Sequence, residues 1–254
     1  MKTMKGVVIL TLAIIGTGLL FSCKKDGDDL NVAEKIIGKW VIEDCDGEPA
    51  LTNDKVVLEF VSASKAFMST PFSYYPAAGK PWIHKVENEV AIDGNTVTLT
   101  GRYDQQTTTT TVLQILYLSN HDFTARVNNG QTIHYTRVGS DYSVDIIGTW
   151  QGRCTSQGSA YDDGQEHRWQ YLEDGTYVYY VKDGDQWVPG ENTVSDYFVA
   201  GNLLCTRWEN SGQENHEWWG IAIEGNRMNW SGLRKNEKGE TIRVLFQMRR
   251  VQEN

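Results

Sequence analysis

The chain contains one unit twice. Ile36-Ile37-Gly38-Lys39-Trp40 returns as Ile146-Ile147-Gly148-Thr149-Trp150, a shift of 110 residues. Further echoes follow in the same order. Val57-Leu58-Glu59-Phe60 matches Arg168-Trp169-Gln170-Tyr171, Lys80-Pro81-Trp82 matches Asp185-Gln186-Trp187, and Asp93-Gly94-Asn95 matches Ala200-Gly201-Asn202. Each copy ends alike, with Thr136-Arg137-Val138 against Arg249-Arg250-Val251. Ordered echoes at a nearly constant offset are the mark of a duplicated unit, and two copies are too few for a solenoid. The sequence therefore divides into two tandem domains, residues 32–138 and 146–254, with a polar linker over 139–145.

Within each copy the local signal is almost entirely β. In the second, Arg168–Leu172 and Thr176–Val181 are aromatic, β-branched runs around Asp174-Gly175, a strong hairpin signal. Val194–Val199 and Leu203–Trp208 flank Ala200-Gly201-Asn202, Glu217–Ile223 and Arg227–Ser231 flank Glu224-Gly225-Asn226, and Thr241–Val251 is a last strand. With the strand opening at Trp150, this makes eight. The first copy yields the same count, from strands near Trp40, Leu58, Phe67, Val86, Val97, Leu113, Ala125 and Tyr135. Only Val32–Ile37 and Tyr142–Ile147 read as short helical lead-ins. Eight consecutive antiparallel strands in about 105 residues fit a small up-and-down barrel, which removes exposed sheet edges by closing. Open sandwiches are the competing fold. The short turns and the lack of a long crossover favour two tandem small antiparallel barrels.

The N-terminus carries an address. Lys2 and Lys5 precede an apolar stretch from Val7 to Leu20, too short and too early for a membrane span, so it reads as a secretory signal. It closes with Leu19-Leu20-Phe21-Ser22-Cys23, which resembles the lipobox of bacterial lipoproteins. That resemblance implies removal of residues 1–22, acylation of Cys23, and a flexible tether over 23–31. A single acyl chain gives only marginal anchoring, and the several that the resemblance implies would hold the protein stably. The cluster Lys24-Lys25-Asp26-Gly27-Asp28-Asp29 is similar to the signal that sends some lipoproteins to the outer face of the outer membrane; a plain solvated spacer is the other reading.

Charge excludes one class of partner. Loss of Lys2 and Lys5 with the signal takes 24 basic residues to 22 against 33 acidic ones, a net charge of −11. No Lys/Arg-rich block remains to neutralise phosphates, which argues against nucleic acid.

Gly-x-Trp at the head of each first strand is the short motif that opens lipocalin barrels. In Ile242-Arg243-Val244-Leu245-Phe246-Gln247-Met248-Arg249-Arg250, strand alternation puts Arg250 at the end of an apolar face. A buried unpaired charge is costly, so Arg250 needs a partner. Stacking on Trp150 supplies one, worth about 0.5–2 kcal/mol. Ile133, Tyr135 and Arg137 repeat the pattern toward Trp40. This plug of Trp40, Arg137, Trp150 and Arg250 resembles that of lipocalins, and the tandem arrangement behind a lipobox is similar to bacterial surface lipoproteins. The resemblance implies barrels that bind a small or apolar ligand.

Trp169, Tyr171, Trp187, Trp208, Trp218, Trp219 and Trp230 make the second domain unusually aromatic. They form either a platform for a flat or glycan-like ligand, with Arg207, Glu217 and Asp196 as polar partners, or the filling of a small barrel. Trp187, Trp208 and Trp218 are the best ligand contacts on the first reading. In the first domain Phe67, Phe72, Tyr74, Tyr75 and Trp82 cluster as a lid over a barrel mouth or as packing against domain 2.

Three cysteines follow Cys23. Cys154 and Cys205 lie in one domain and could form a disulfide closing about 50 residues, worth about 3–4 kcal/mol; three reduced thiols, Cys45 included, are the alternative. His84, His121, His134, His167 and His216 show no metal-ligand pairing. No Gly-x-Ser-x-Gly nucleophile or Gly-rich phosphate loop is present. The expected protein is a lipid-anchored binding module of the outer membrane, without catalysis, cofactor or metal. A non-catalytic accessory subunit of an outer-membrane nutrient-uptake complex is the alternative.

Overall fold

The computed structural model describes residues 31–69, 85–102, 108–128, 130–156, 164–191 and 195–252. Residues 1–30, Cys23 among them, lie outside these, as do Phe72, Tyr74, Tyr75, Trp82 and His84.

Domain 1 opens with the helical turn α1 (Val32–Lys35), then strands β1 (Gly38–Cys45), β2 (Glu48–Pro49), β3 (Val57–Ser62), β4 (Lys65–Ser69) and β5 (Lys85–Asp93). It continues through β6 (Thr96–Arg102), β7 (Thr108–Leu118), β8 (Asp122–Val127) and β9 (Thr132–Arg137). Each strand from β3 onward pairs antiparallel with the next, and β9 pairs back onto β1, with Trp40 opposite Arg137 and Ile42 opposite Tyr135. The barrel is closed, as its short turns predict, and β2 is a flap folded on the end of β1. Buried and solvent-facing residues alternate along β5 and β6, the period-2 pattern of a wall with one dry face. Trp40, Leu58, Phe60, Leu99, Leu113, Ile115, Phe123 and Tyr135 fill the inside, and Val32 and Ile36 pack onto them.

Domain 2 contains β10 (Gly148–Cys154), β11 (His167–Tyr171), β12 (Tyr177–Asp183), β13 (Gln186–Pro189) and β14 (Ser195–Ala200). Then come β15 (Leu203–Asn210), β16 (Gln213–Glu224), β17 (Arg227–Lys235) and β18 (Thr241–Arg250). The first strand again pairs with the last, β10 with β18. The register of the repeat is kept: Gly148 faces Tyr171 and Trp150 faces Trp169, as Gly38 faces Phe60 and Trp40 faces Leu58. One feature departs from the eight-strand expectation. The additional strand β13 pairs with Tyr180–Asp183 of β12, so only the start of β12 reaches β14. The curled sheet meets itself there through one bridge, Thr176 opposite Asp196, and a 2.8 Å bond from Tyr197 N–H to the Gly175 carbonyl.

The two walls pack on each other. Val41, Val57 and Val138, on the outside of domain 1, form one buried cluster with Ala200, Leu203, Cys205 and Trp218. Thr52 of domain 1 reaches into the sheet of domain 2. The β16–β17 ladder ends at Gly220 opposite Ser231. Beyond it, Thr52 N–H donates to the Leu233 carbonyl at 2.9 Å, and Trp218 N–H donates to the Thr52 carbonyl at 2.6 Å. Gly232 makes this fit, because a Cβ there would strike the Thr52 methyl and the Trp219 ring. The linker is tied down too: Tyr142 N–H donates to the Gly201 carbonyl at 3.0 Å, and Gly139 N–H to Asn202 Oδ1 at 3.1 Å.

Candidate functional site

The structure brings each Gly-x-Trp glycine, its tryptophan and the last-strand arginine into one unit. Arg137 Cζ lies 4.0 Å from the Trp40 ring centroid, and Arg250 Cζ lies 4.3 Å from that of Trp150. Both tryptophans are wholly buried. Their indole N–H groups donate to the Ile36 carbonyl at 2.6 Å and the Ile146 carbonyl at 2.7 Å. Arg137 donates to the carbonyls of Ile37, Lys35 and Asn120, and Arg250 to those of Ile147 and Asp145. The glycines are required twice over. Gly38 and Gly148 have φ of +132° and +121°, and a Cβ on either would strike the guanidinium above it. In both copies the guanidinium and the indole N–H are engaged with backbone carbonyls and the ring is covered by the arginine.

The tryptophans singled out for ligand binding do not form one platform. Trp218 does face outward, opposite to its neighbour Trp219, but domain 1 covers it completely. Phe198 meets it edge-on at 5.0 Å. Strand alternation gives the face of Trp218 but not what lies against that face. Trp208 is half-buried against the interior cluster. Trp187 sits on β13, half-buried, with Arg168 Cζ 4.4 Å from its ring centroid.

The polar partners are also committed elsewhere. Arg207 is paired with Asp196. Glu217 accepts from Thr52 Oγ1 at 3.0 Å and lies 2.9 Å from Arg234 Nε, inside the domain contact. Burial pushes its carboxyl pKa up, while Arg234 and Thr52 act against that shift.

The Cys154–Cys205 disulfide is not formed. Cys154 packs on the interior cluster of domain 2, whereas Cys205 points through the other side of the wall into the domain contact. A β-wall separates the two thiols.

The interior of domain 2 is filled by its own rings. Trp169, Trp219 and Phe246 lie 4.6, 5.6 and 5.5 Å from Trp230 between centroids, and Tyr171 meets Tyr197 at 4.9 Å. Among the described residues, no group of three or more His, Cys, Asp or Glu side chains is gathered as a metal site would require.

An open depression lies instead on the outer face of domain 2, with a volume of about 680 Å³. Cross-strand register builds it from two rows. One runs Gln151–Arg249–Arg227–Glu224 across β10, β18, β17 and β16. The other runs Arg153–Gln247–Asn229–Ala222 over the same strands, with Glu166 at its end. Gln151 is tied to its neighbours, donating to Glu166 at 3.0 Å and accepting from Arg168 Nε at 3.1 Å. Arg153, Arg227, Arg249, Asn229 and Gln247 are exposed and have no side-chain hydrogen bond or ion pair among the described residues. Trp187 belongs to this side of the wall, since the Arg168 that stacks on it also bonds Gln151 in the groove.

Sequence reasoning missed this groove. Its arginines stand far apart in the chain and each reads as an ordinary surface residue. The signal was present in the strand order: pairing the first strand of a barrel with the last places Gln151 and Arg153 beside Gln247 and Arg249.

No protein-family model matches the chain, and no curated protein resembles it. Solved structures similar to it include a double mutant of the vaccine antigen transferrin binding protein B from Haemophilus parasuis, at 6% identity and a TM-score of 0.24. The intact Ap-TbpB, with N and C lobes, is similar at 8% identity and a TM-score of 0.23. Both matches cover 82% of this chain but only 62% and 63% of the others.

Proposed function

We propose that this chain is a lipid-anchored, non-catalytic binding module of the outer membrane that takes a polar ligand on the outer face of domain 2. The carrying observation is the contrast between the two faces of that wall. Inside, aromatic rings occupy the space an apolar ligand would need. Outside, a groove presents the amides of Asn229 and Gln247 and the guanidinium groups of Arg153, Arg227 and Arg249, unbonded among the described residues. Asn229 and Gln247 each offer a donor pair and an acceptor, the groups that hydroxyl-rich molecules such as glycans require. Trp187 flanks this side as an aromatic surface.

Intrinsic tryptophan fluorescence during a screen of glycans, fatty acids and haem-like compounds tests the assignment. Glycans are expected to bind, and Asn229→Ala with Gln247→Ala should weaken them at least about tenfold. Trp187→Ala should also weaken binding without unfolding the domain. Binding confined to fatty acids or haem-like compounds would overturn it.

The anchor is tested separately. Cys23→Ala should release the protein from membranes or stall its processing, and a palmitate analogue should label the native protein alone. Equal membrane recovery and an unlabelled native protein would contradict the anchor.

A second reading, an accessory subunit of a nutrient-uptake complex, is favoured by one feature of domain 1. Leu116 and Tyr117 are 44% and 51% exposed on adjacent positions of β7, where a bulge between Ile115 and Tyr117 turns both outward. Exposed apolar side chains of this kind suit a protein partner. Loss of co-purification with an outer-membrane protein in Leu116→Ser/Tyr117→Ser would support it.

A further inference from the structure

We propose that the groove ligand is an anionic saccharide, whose carboxylate or sulfate groups are held by Arg153, Arg227 and Arg249. The inference rests on the groove reading above and adds the charge of the ligand. Arg227 and Arg249 are direct cross-strand partners. Like charges in that position repel and weaken a sheet, so the pair is held at a cost to the fold. Arg153 stands opposite Gln247, two residues from Arg249 on the same face. Its side chain therefore originates within about 7–8 Å of that of Arg249 and, one strand farther on, about 12 Å from that of Arg227.

None of the three has an ion pair among the described residues, although the chain carries 33 acidic side chains against 24 basic ones. Elsewhere the same wall pairs its arginines, Arg207 with Asp196 and Arg234 with Glu217. Of the two groove carboxylates, Glu166 accepts from Gln151, and Glu224, directly opposite Arg227 on the next strand, forms no ion pair with it among the described residues. Three forked cations on one face of the sheet are a receptor for planar or tetrahedral oxyanions, which guanidinium binds in bidentate fashion. The amides of Asn229 and Gln247 lie among them and suit hydroxyls. The lining has no open apolar pocket that would seat the side chains of an acidic peptide: its apolar members are the single methyl of Ala222 and the buried Met248.

The test is a titration of the full chain in detergent with oligosaccharides of matched length, either neutral, uronate-bearing or sulfated. The acidic sugars are expected to bind at least about tenfold tighter than the neutral one, with affinity falling as salt rises. Arg227→Gln/Arg249→Gln should abolish that preference, whereas Arg243→Gln, farther along β18, should leave it intact. The double variant removes a repulsive pair, so a circular dichroism midpoint at or above the native one will show that it folds. Equal binding of neutral and acidic sugars, weakened by Asn229→Ala and Gln247→Ala, overturns the anionic assignment but keeps the groove. Binding of none of the sugars overturns both. Binding of a poly-glutamate peptide in their place overturns the saccharide assignment.

Discussion

Gly148→Ala is expected to lower the stability of domain 2 by about 3–5 kcal/mol, a large effect for the addition of one methyl group. Two costs combine. At a φ of +121° an L side chain is strained, by about 1–3 kcal/mol. The new methyl also occupies the place of the Arg250 guanidinium. Displacing that group forfeits its stacking on Trp150 and its charge-assisted bonds to the Ile147 and Asp145 carbonyls. Such bonds contribute about 1.5–3 kcal/mol each, less where water replaces the partner. Arg250→Ala removes the second set without the backbone strain, so it should cost about 1–3 kcal/mol less than Gly148→Ala. Gly38→Ala should act in the same way on domain 1 through Arg137. Denaturant midpoints would check this, and a loss under about 1 kcal/mol for Gly148→Ala would contradict the plug as described.

Trp218→Ala is expected to loosen the contact between the domains. The side chain is 0% exposed in a cluster drawn from both domains, and truncating a buried Trp costs about 3–5 kcal/mol. Cys205 lies in the same cluster, and burial pushes its thiol pKa well above the ordinary value, with Glu217 adding to the shift. The native thiol should therefore be inert to alkylation, because the thiolate is the reacting form. In Trp218→Ala its labelling should accelerate at least about tenfold, followed by mass spectrometry of the Cys205 peptide. Cys45 and Cys154, half-buried outside that cluster, provide the internal comparison. An unchanged Cys205 rate would mean that the domains stay sealed without the indole.

Both effects turn on residues that the sequence exposes unequally. The plug is legible because its parts are local patterns: a glycine two residues before a tryptophan, and an arginine in phase with a final apolar face. The repeat makes the pairing of first and last strands visible as well. Trp218 is different. Alternation shows that either it or Trp219 faces outward, but the cover over that face comes from Val41, Val57 and Val138, far away in the chain. The same limit hid Thr52, an isolated threonine until its backbone is seen bonded to Trp218 and Leu233. The eight-strand count leaves out Gln186–Pro189, which adds a ninth strand along most of the β12 edge. Aromatic richness was the loudest signal in domain 2, and it belongs to the filling of the interior and to the domain contact. The groove arginines, polar and dispersed, gave none.

The most direct test of an outer-face binding site is a titration of the isotope-labelled protein with a sulfated oligosaccharide, followed residue by residue by NMR. Shifts are expected at the amides of Arg153, Arg227, Asn229, Gln247 and Arg249, with the indole signals of Trp169, Trp219 and Trp230 unmoved. Saturable shifts of those interior indoles, with the groove amides silent, would contradict it.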